Sequence, residues 1–458
     1  MRALLLALAI WWCSSAAAQA LPPEIEAALA RSGLPHDAVA LLVTDVDPAL
    51  PPRLAHRPQA WVNPASIAKV ATTFAALELL GPAYTWATRV WIDGAVHEGT
   101  LHGNLYLQGS GDPKLVHERL WLLMRRVRAL GIQQVTGDIV LDQSAFEPVG
   151  TDPGAFDGEP LRPYNVAPEA LLLNFKSVVL TFTPALPTAR IAAEPPLAGV
   201  QWPASVPLAP GPCGDWRAAL QLDVTDPALP RLHGAYPAAC GERSWPVAFP
   251  DPASFATRLV AALWQETGGR VAGQVRTGVV PPGATVVAET RSPPLAEVVR
   301  DINKFSNNVM AQQVFLTLSQ QTQGLGTRTA SRELLQAWWR SRIGPDVPQF
   351  DNGSGLSREE RATPEQIARL LQVAWASPLM PELAASMPAA GADGTLRRSA
   401  AQAAHLKTGS LRDVWGVAGY VHGASGRRYV LVAIANHPRA AALRPVADAL
   451  IGWAGKDR

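Results

Sequence analysis

The sequence predicts an α+β fold in which one body of helices and strands is split by a large, mainly β insertion. Three stretches predict it. A β-rich run near the start leads into an almost wholly apolar helix, the middle third is a proline-crowded series of short β-like segments, and the last third returns to helices before a hairpin and a closing helix.

Taken in order, residues 24–31 carry a helical pattern and residues 38–45 (AVALLVTD) form an apolar, β-branched run suited to a buried strand. Asn63-Pro64-Ala65-Ser66 stops the chain. Residues 66–80 (SIAKVATTFAALELL) are apolar almost all round, which predicts a buried helix, and Gly81-Pro82 ends it. Between about residues 87 and 245 the runs TRVWID, GNLYLQGS, GDIVLDQS and SVVLTFTP are separated by Gly, Pro and Asp, with few long periodic helices. This region reads as a mainly β insertion of one or two small modules. Helical pattern resumes at 252–267, 307–321, 328–342 and 364–376. Residues 414–421 and 428–435 are strand-like around a Gly-Ala-Ser-Gly turn, and 440–454 closes the chain as a helix. No internal repeat has a fixed period.

Composition bounds the function. The chain has 458 residues, 48% hydrophobic and 17% charged, enough for two or three domains with real cores. Net charge is +2 with no run of like charges, so the electrostatic footprint of a nucleic-acid binder is missing. Residues 1–20 combine a short basic start, an apolar stretch and the ending Ala18-Gln19-Ala20, the pattern of a cleaved export signal. Export to a periplasm, given the Ala/Arg/Pro-rich composition, is the expectation. Cys13 would leave with the signal. No later segment has the roughly 20 apolar residues of a spanning helix, so membrane association is at most peripheral. Cys213 and Cys240 remain, 27 positions apart; in an oxidising compartment they can form a disulfide, the other reading being two buried thiols. The nine histidines show no metal-ligand spacing, so no metal or cofactor is expected.

Three motifs carry chemistry. Ser66-Ile67-Ala68-Lys69 opens the apolar helix, and a spacing of three puts serine and lysine on one face at its N-terminal end. A lysine whose pKa is lowered by burial can take the proton that makes a serine nucleophilic. Ser306-Asn307-Asn308 starts a second apolar helix and offers a hydroxyl for proton relay and an amide for a substrate carbonyl, although serine and asparagine are also ordinary helix caps. Lys407-Thr408-Gly409-Ser410 follows a strand-like approach. With only six lysines in the chain, chance supplies roughly 0.03 such runs, so this one is specific. A lysine and hydroxyls on a strand edge can bind a terminal carboxylate, and glycine lets substrate lie against the backbone.

The three motifs in this order resemble the serine penicillin-recognising enzymes. Within them, the 240 residues from Ser66 to Ser306 leave room for a large insertion, and Asn303-Lys304-Phe305, Asp351-Asn352-Gly353-Ser354-Gly355-Leu356-Ser357, Gly394-Thr395-Leu396 and the contexts of both cysteines extend the likeness over the mature chain. The sequence is similar to the S13 peptidases, the D-alanyl-D-alanine carboxypeptidase/endopeptidases of the penicillin-binding protein 4 type. That resemblance implies a β-lactamase/DD-peptidase-like transpeptidase domain, an antiparallel sheet flanked by helices, built from residues 21–86 and 246–458 around an insertion at 87–245. It implies Ser66 as nucleophile, Lys69 as its base, Ser306 and Asn308 as relay and substrate holder, Lys407 as carboxylate and relay contact, and the N–H groups of Ser66 and Ser410 as oxyanion hole. Thr408, Gly409 and Ser410 would line the substrate strand. Partners would be peptidoglycan stem peptides and, as acylating inhibitors, β-lactam antibiotics. An acid of the insertion that meets the substrate's free amino group falls on Asp157 or Glu159, between which the sequence does not choose. A β-lactamase and a silent wall-binding relative are the other readings of the same motifs.

Overall fold

The computed structural model describes residues 20–150 and 152–457; the expected export signal, apart from Ala20, and Cys13 lie outside the described residues. Its organising element is a five-stranded antiparallel sheet in the order Ala404–Leu411, Val414–His422, Arg428–Asn436, Val39–Asp45, Leu54–His56. Central strands read as continuous apolar runs because both faces are covered. In Arg428–Asn436, Val430, Val432 and Ile434 enter a core of helices on one face. Tyr429, Leu431, Ala433 and Ala435 alternate into a second core under the first and last helices on the other. Those two are Pro23–Ser32 and Arg444–Gly455.

The helical face holds Lys69–Leu80, Leu295–Phe305, Asn308–Gln323, Arg328–Arg342 and Pro364–Trp375. The apolar helix is entered through a 3-10 turn at Ala65–Ala68, and every residue from Lys69 to Leu77 is buried, as its composition dictates. Pro364–Trp375 begins with a full capping box in which Thr363 and Gln366 satisfy each other's backbone N–H groups.

Segments after residue 245 pair with strands before it. Strand Thr285–Arg291 pairs antiparallel with Ala87–Ile92, and Arg270–Val271 and Val275–Thr277 add to Gln134–Val135 and Ile139–Asp142. Helix Pro252–Glu266 buries Phe255, Leu259, Val260, Leu263 and Trp264 in the same cluster as Val90 and Leu107. Residues 246–291, expected in the catalytic body, therefore pair and pack with the insertion. The physical reason is that the chain returns beside the strand by which it left, a non-local pairing that no local pattern announces. The region also contains a helix, His117–Ala129, which buries Leu120, Leu123, Met124 and Val127 at i, i+3, i+4 and i+7. A further inserted sheet is built from Ser177–Ala185, Thr188–Glu194, Ser205–Ala209, Tyr236–Pro237 and Arg243–Ala248. The Cys213–Cys240 disulfide lies beside it, against an aromatic group of Phe182, Trp216 and Tyr236. The inserted sheets share one hydrophobic core. Among the described residues no helix is long and apolar enough to cross a membrane.

Candidate active site

Ser66 stands where three backbones converge. Ala65 takes a left-handed φ of 48°, and two glycines let other segments press against this turn. A Cβ on Gly409 would come within 2.5 Å of the Pro64 carbonyl oxygen, and one on Gly355 within 2.0 Å of that of Ala65. Only glycine fits either place. The edge strand and the 352–355 turn are thereby locked against the start of the apolar helix. Ser306 is itself left-handed, with φ 57°, and ends Leu295–Phe305. Asn307 then caps the next helix by accepting the Met310 N–H at 3.0 Å. This corner turns Ser306 toward the edge strand and sets Asn308 toward Lys69.

The side chains form two lysine-centred groups. Lys69 Nζ lies 2.8 Å from Ser66 Oγ, donates to Asn308 Oδ1 at 2.6 Å, and donates to the Ser354 carbonyl. Lys407 Nζ donates to Ser306 Oγ at 2.9 Å and to the Thr408 carbonyl at 2.7 Å. Both lysines are fully buried. Burial pulls the Lys69 ammonium down to about 7, with the Glu360 carboxylate opposing. Burial and then the positive charge of Lys69 hold Lys407 well below the ordinary lysine range. A buried amine that is partly neutral near neutral pH can accept a proton, and one next to a serine hydroxyl can activate it.

Glu360 is the residue the sequence does not reveal. It is 1% exposed and accepts the Asp351 and Asn352 N–H groups at 3.2 and 3.4 Å, while its Oε2 is buried without a hydrogen bond. Burial and the Asp351 charge push it up to about 7. It thus shapes the turn whose Ser354 carbonyl receives Lys69. Lys304, close in sequence to the site, instead makes a 2.6 Å salt bridge with Asp393.

Ser66, Ser306, Asn308, Thr408 and Ser410 open onto one cleft of about 1290 Å³, and Lys407 and Gly409 lie just behind it. The inserted loop forms one wall: Tyr164 gives its carbonyl to Asn308 Nδ2 at 3.2 Å, and Arg358 stacks 4.8 Å above the Phe156 ring. The two candidate acids separate here. Asp157 lines the cleft and accepts from Tyr164 Oη and Asn165 Nδ2, both at 2.8 Å. Glu159 lies outside the lining and pairs with Arg162 at 3.1 Å in solvent. Partial burial raises the Asp157 carboxyl, but the hydrogen bonds outweigh it and its pKa is lowered. Thr395, within the Gly394-Thr395-Leu396 run, shares a 2.7 Å hydrogen bond with Thr408.

Known proteins resemble this chain over most of its length. A D-alanyl-D-alanine carboxypeptidase of Actinomadura sp. (strain R39) is 30% identical over 392 residues, covering 79% of this chain and 71% of that one. The penicillin binding protein 4 (dacB) structure from Haemophilus influenzae superposes with a TM-score of 0.78 at 21% identity, over 94% of this chain and 99% of that one. The same protein is also known in complex with a β-lactam. A predatory endopeptidase from Bdellovibrio bacteriovorus superposes at 0.54 and 16% identity, over 91% and 94%. The profile of one family spans residues 21–456, from the first helix to the end of the last, and the chain belongs to that family, the D-Ala-D-Ala carboxypeptidase 3 (S13) peptidases.

Proposed function

We propose that the chain hydrolyses D-alanyl peptide bonds of peptidoglycan stem peptides through an acyl-enzyme on Ser66. The observation that carries this reading is the fully buried Lys69 amine 2.8 Å from Ser66 Oγ, at the N-terminal end of an apolar helix. Neutral Lys69 takes the hydroxyl proton as Oγ attacks the D-Ala carbonyl carbon. The developing oxyanion is stabilised by the N–H groups of Ser66 and Ser410. Collapse breaks the C–N bond, and the leaving amine receives a proton delivered through Ser306, whose hydroxyl is held by Lys407. Water then attacks the ester, its proton returning to the base, and the shortened peptide leaves with Ser66 restored. Asn308 holds the substrate carbonyl, and Lys407, Thr408 and the strand edge receive a terminal carboxylate.

A β-lactam presents a strained amide to the same oxygen and leaves a long-lived ester. Export to the periplasm fits the disulfide. The division of the chain that best fits its strand pairing is a catalytic body of 21–86 and 292–458 around an insertion of 87–291. Intact mass of the mature protein with benzylpenicillin, run beside Ser66→Ala, tests the reading. A single persistent adduct on the unchanged protein alone is expected. An adduct on the variant would remove Ser66 from its role, and rapid loss of the adduct would turn the reading toward a β-lactamase.

A further inference from the structure

The cleft is much longer than the catalytic residues need. In the edge strand Thr408 pairs with Val417 and Ser410 with Trp415, so these four side chains share one face of the sheet. Val417 and Trp415 belong to the core beneath the terminal helix, whereas Ala418, the neighbour opposite Lys407, belongs to the helical core. The cleft therefore crosses the sheet edge. One half contains Ser66, Ser306 and Asn308, and the other runs over Trp415 and Val417 to Arg444, Ala447, Asp448 and Ile451 of the terminal helix.

That far half is cationic. Arg397, Arg398 and Arg444 all line it and are exposed, and among the described residues none of the three forms a salt bridge. Its acid, Asp448, is engaged by the Ser399 hydroxyl at 2.6 Å. Arg444 lies 5.8 Å from the Trp415 ring centre, which gives a flat shelf beneath a guanidinium. Unpaired arginines gathered on one wall of a cleft focus a positive potential and match carboxylates two N–H groups at a time. A pocket for a drug-sized ligand occupies about 300–1,000 Å³. A leaving D-alanine, with one carboxylate beside the scissile bond, would leave most of 1290 Å³ unused.

We propose that the half of the cleft between the edge strand and the terminal helix binds the free carboxylates of a peptide leaving group, with Arg397, Arg398 and Arg444 as its anion-binding wall. The inference rests on the acyl-transfer reading of Ser66 and extends it to substrate class. The favoured substrate is a cross-linked dimer of acidic stem peptides, whose leaving strand carries several carboxylates away from the cut bond. Release of single D-alanine gains less from this wall.

The test uses the full mature protein and a variant carrying Arg397→Ala, Arg398→Ala and Arg444→Ala, with a triple Lys variant as the charge-preserving control. Each is assayed on synthetic cross-linked dimers with free carboxylates, on the same dimers with those carboxylates amidated, on a D-Ala-D-Ala pentapeptide and for benzylpenicillin acylation. The ratio of dimer kcat/KM to penicillin acylation is expected to fall at least tenfold in the Ala variant, through KM. It should recover in large part in the Lys variant. The unchanged protein should prefer free to amidated dimers at least tenfold, a preference that shrinks as salt rises. Equal kcat/KM on free and amidated dimers would overturn the proposal, as would a loss in the Ala variant that is uniform over all substrates. Failure of penicillin to acylate the unchanged protein would overturn the acyl-transfer reading, and this inference with it. An unchanged penicillin rate with no dimer preference would overturn this inference alone.

Discussion

The catalytic body and the inserted body each have a buried core, but they bury different things. Around Ser66 the interior holds Lys69, Thr72, Thr73, Asn303, Asn308, Gln313, Ser354, Glu360 and Lys407, most of them hydrogen-bonded to each other or to turn carbonyls. The insertion buries chiefly Leu, Val, Phe and Trp and closes one sheet with a disulfide. A buried polar group costs free energy unless it is satisfied, and a buried charge costs more. The body around Ser66 therefore accepts a stability cost to hold reactive groups, and the insertion supplies rigid walls. Substitutions should separate the two: changes in the first alter chemistry before stability, and changes in the second the reverse.

The largest separation is expected at Lys69. Lys69→Met should lower penicillin acylation by about 10²–10⁴-fold, the usual contribution of a positioned base. It should not lower stability at neutral pH. The folded pKa is about 7 against 10.5 for the free side chain, which corresponds to a cost of about 5 kcal/mol below pH 7. Between pH 7 and 10.5 the unfolded chain binds the extra proton, so this cost is relieved as pH rises through that window. Urea unfolding against pH should show that rise in the unchanged protein and a smaller one in the variant, where buried Lys407 still contributes its own; a variant less stable at pH 7 would refute the cost. The mirror case is Cys213→Ser. Opening a loop of 27 residues should reduce the stability of the inserted body by about 3 kcal/mol, with penicillin acylation within twofold of normal. A parallel loss of acylation would show the two bodies to be energetically one.

How much of this is legible in the sequence divides along the same line. The Ser66-Lys69 and Lys407-Gly409 motifs are local, and the turn, helix and edge strand that carry them have strong local signals, so each is visible in the sequence; that they meet in one site is what the family resemblance implied. The helices at 328–342 and 364–375 were readable from periodicity, and Gly81 marked the end of the apolar helix. The packing partner of Pro252–Glu266 was not, because its apolar face does not say which sheet it covers. Its assignment depends on Thr285–Arg291 finding Ala87–Ile92, close to 200 residues away. The helix at 117–129 was in principle legible from Leu120, Leu123, Met124 and Val127, but its proline- and glycine-rich surroundings pointed to strands. Glu360 had no signal: Arg358-Glu359-Glu360-Arg361 reads as a solvated charge run, yet Glu360 is buried while Glu359 is exposed.

Glu360 gives a smaller, sharper test of the polar interior. Its negative charge favours protonated Lys69, so Glu360→Gln should lower the Lys69 pKa further. The acidic limb of the acylation rate should move to lower pH by up to about one unit and sharpen toward a single-proton limb. A limb that stays broad and unmoved would mean that Glu360 only braces the 351–354 turn.

The smallest effect is expected where the insertion meets the cleft, and it distinguishes two acids two residues apart. Glu159 pairs with Arg162 where both side chains are about half exposed, and such surface pairs contribute about 0–1 kcal/mol. Glu159→Gln should leave both unfolding and peptide kcat/KM within twofold. Asp157 lines the cleft and is held ionised by Tyr164 and Asn165. Asp157→Asn keeps the shape, so penicillin, which brings no amine to that wall, should acylate within threefold of normal. A stem peptide with a free side-chain amine should lose about tenfold in kcat/KM, and its N-acetylated counterpart little. If both peptides lose equally, Asp157 orders Tyr164 and the loop around it. If only the free amine suffers, the inserted wall reads the substrate through its carboxylate.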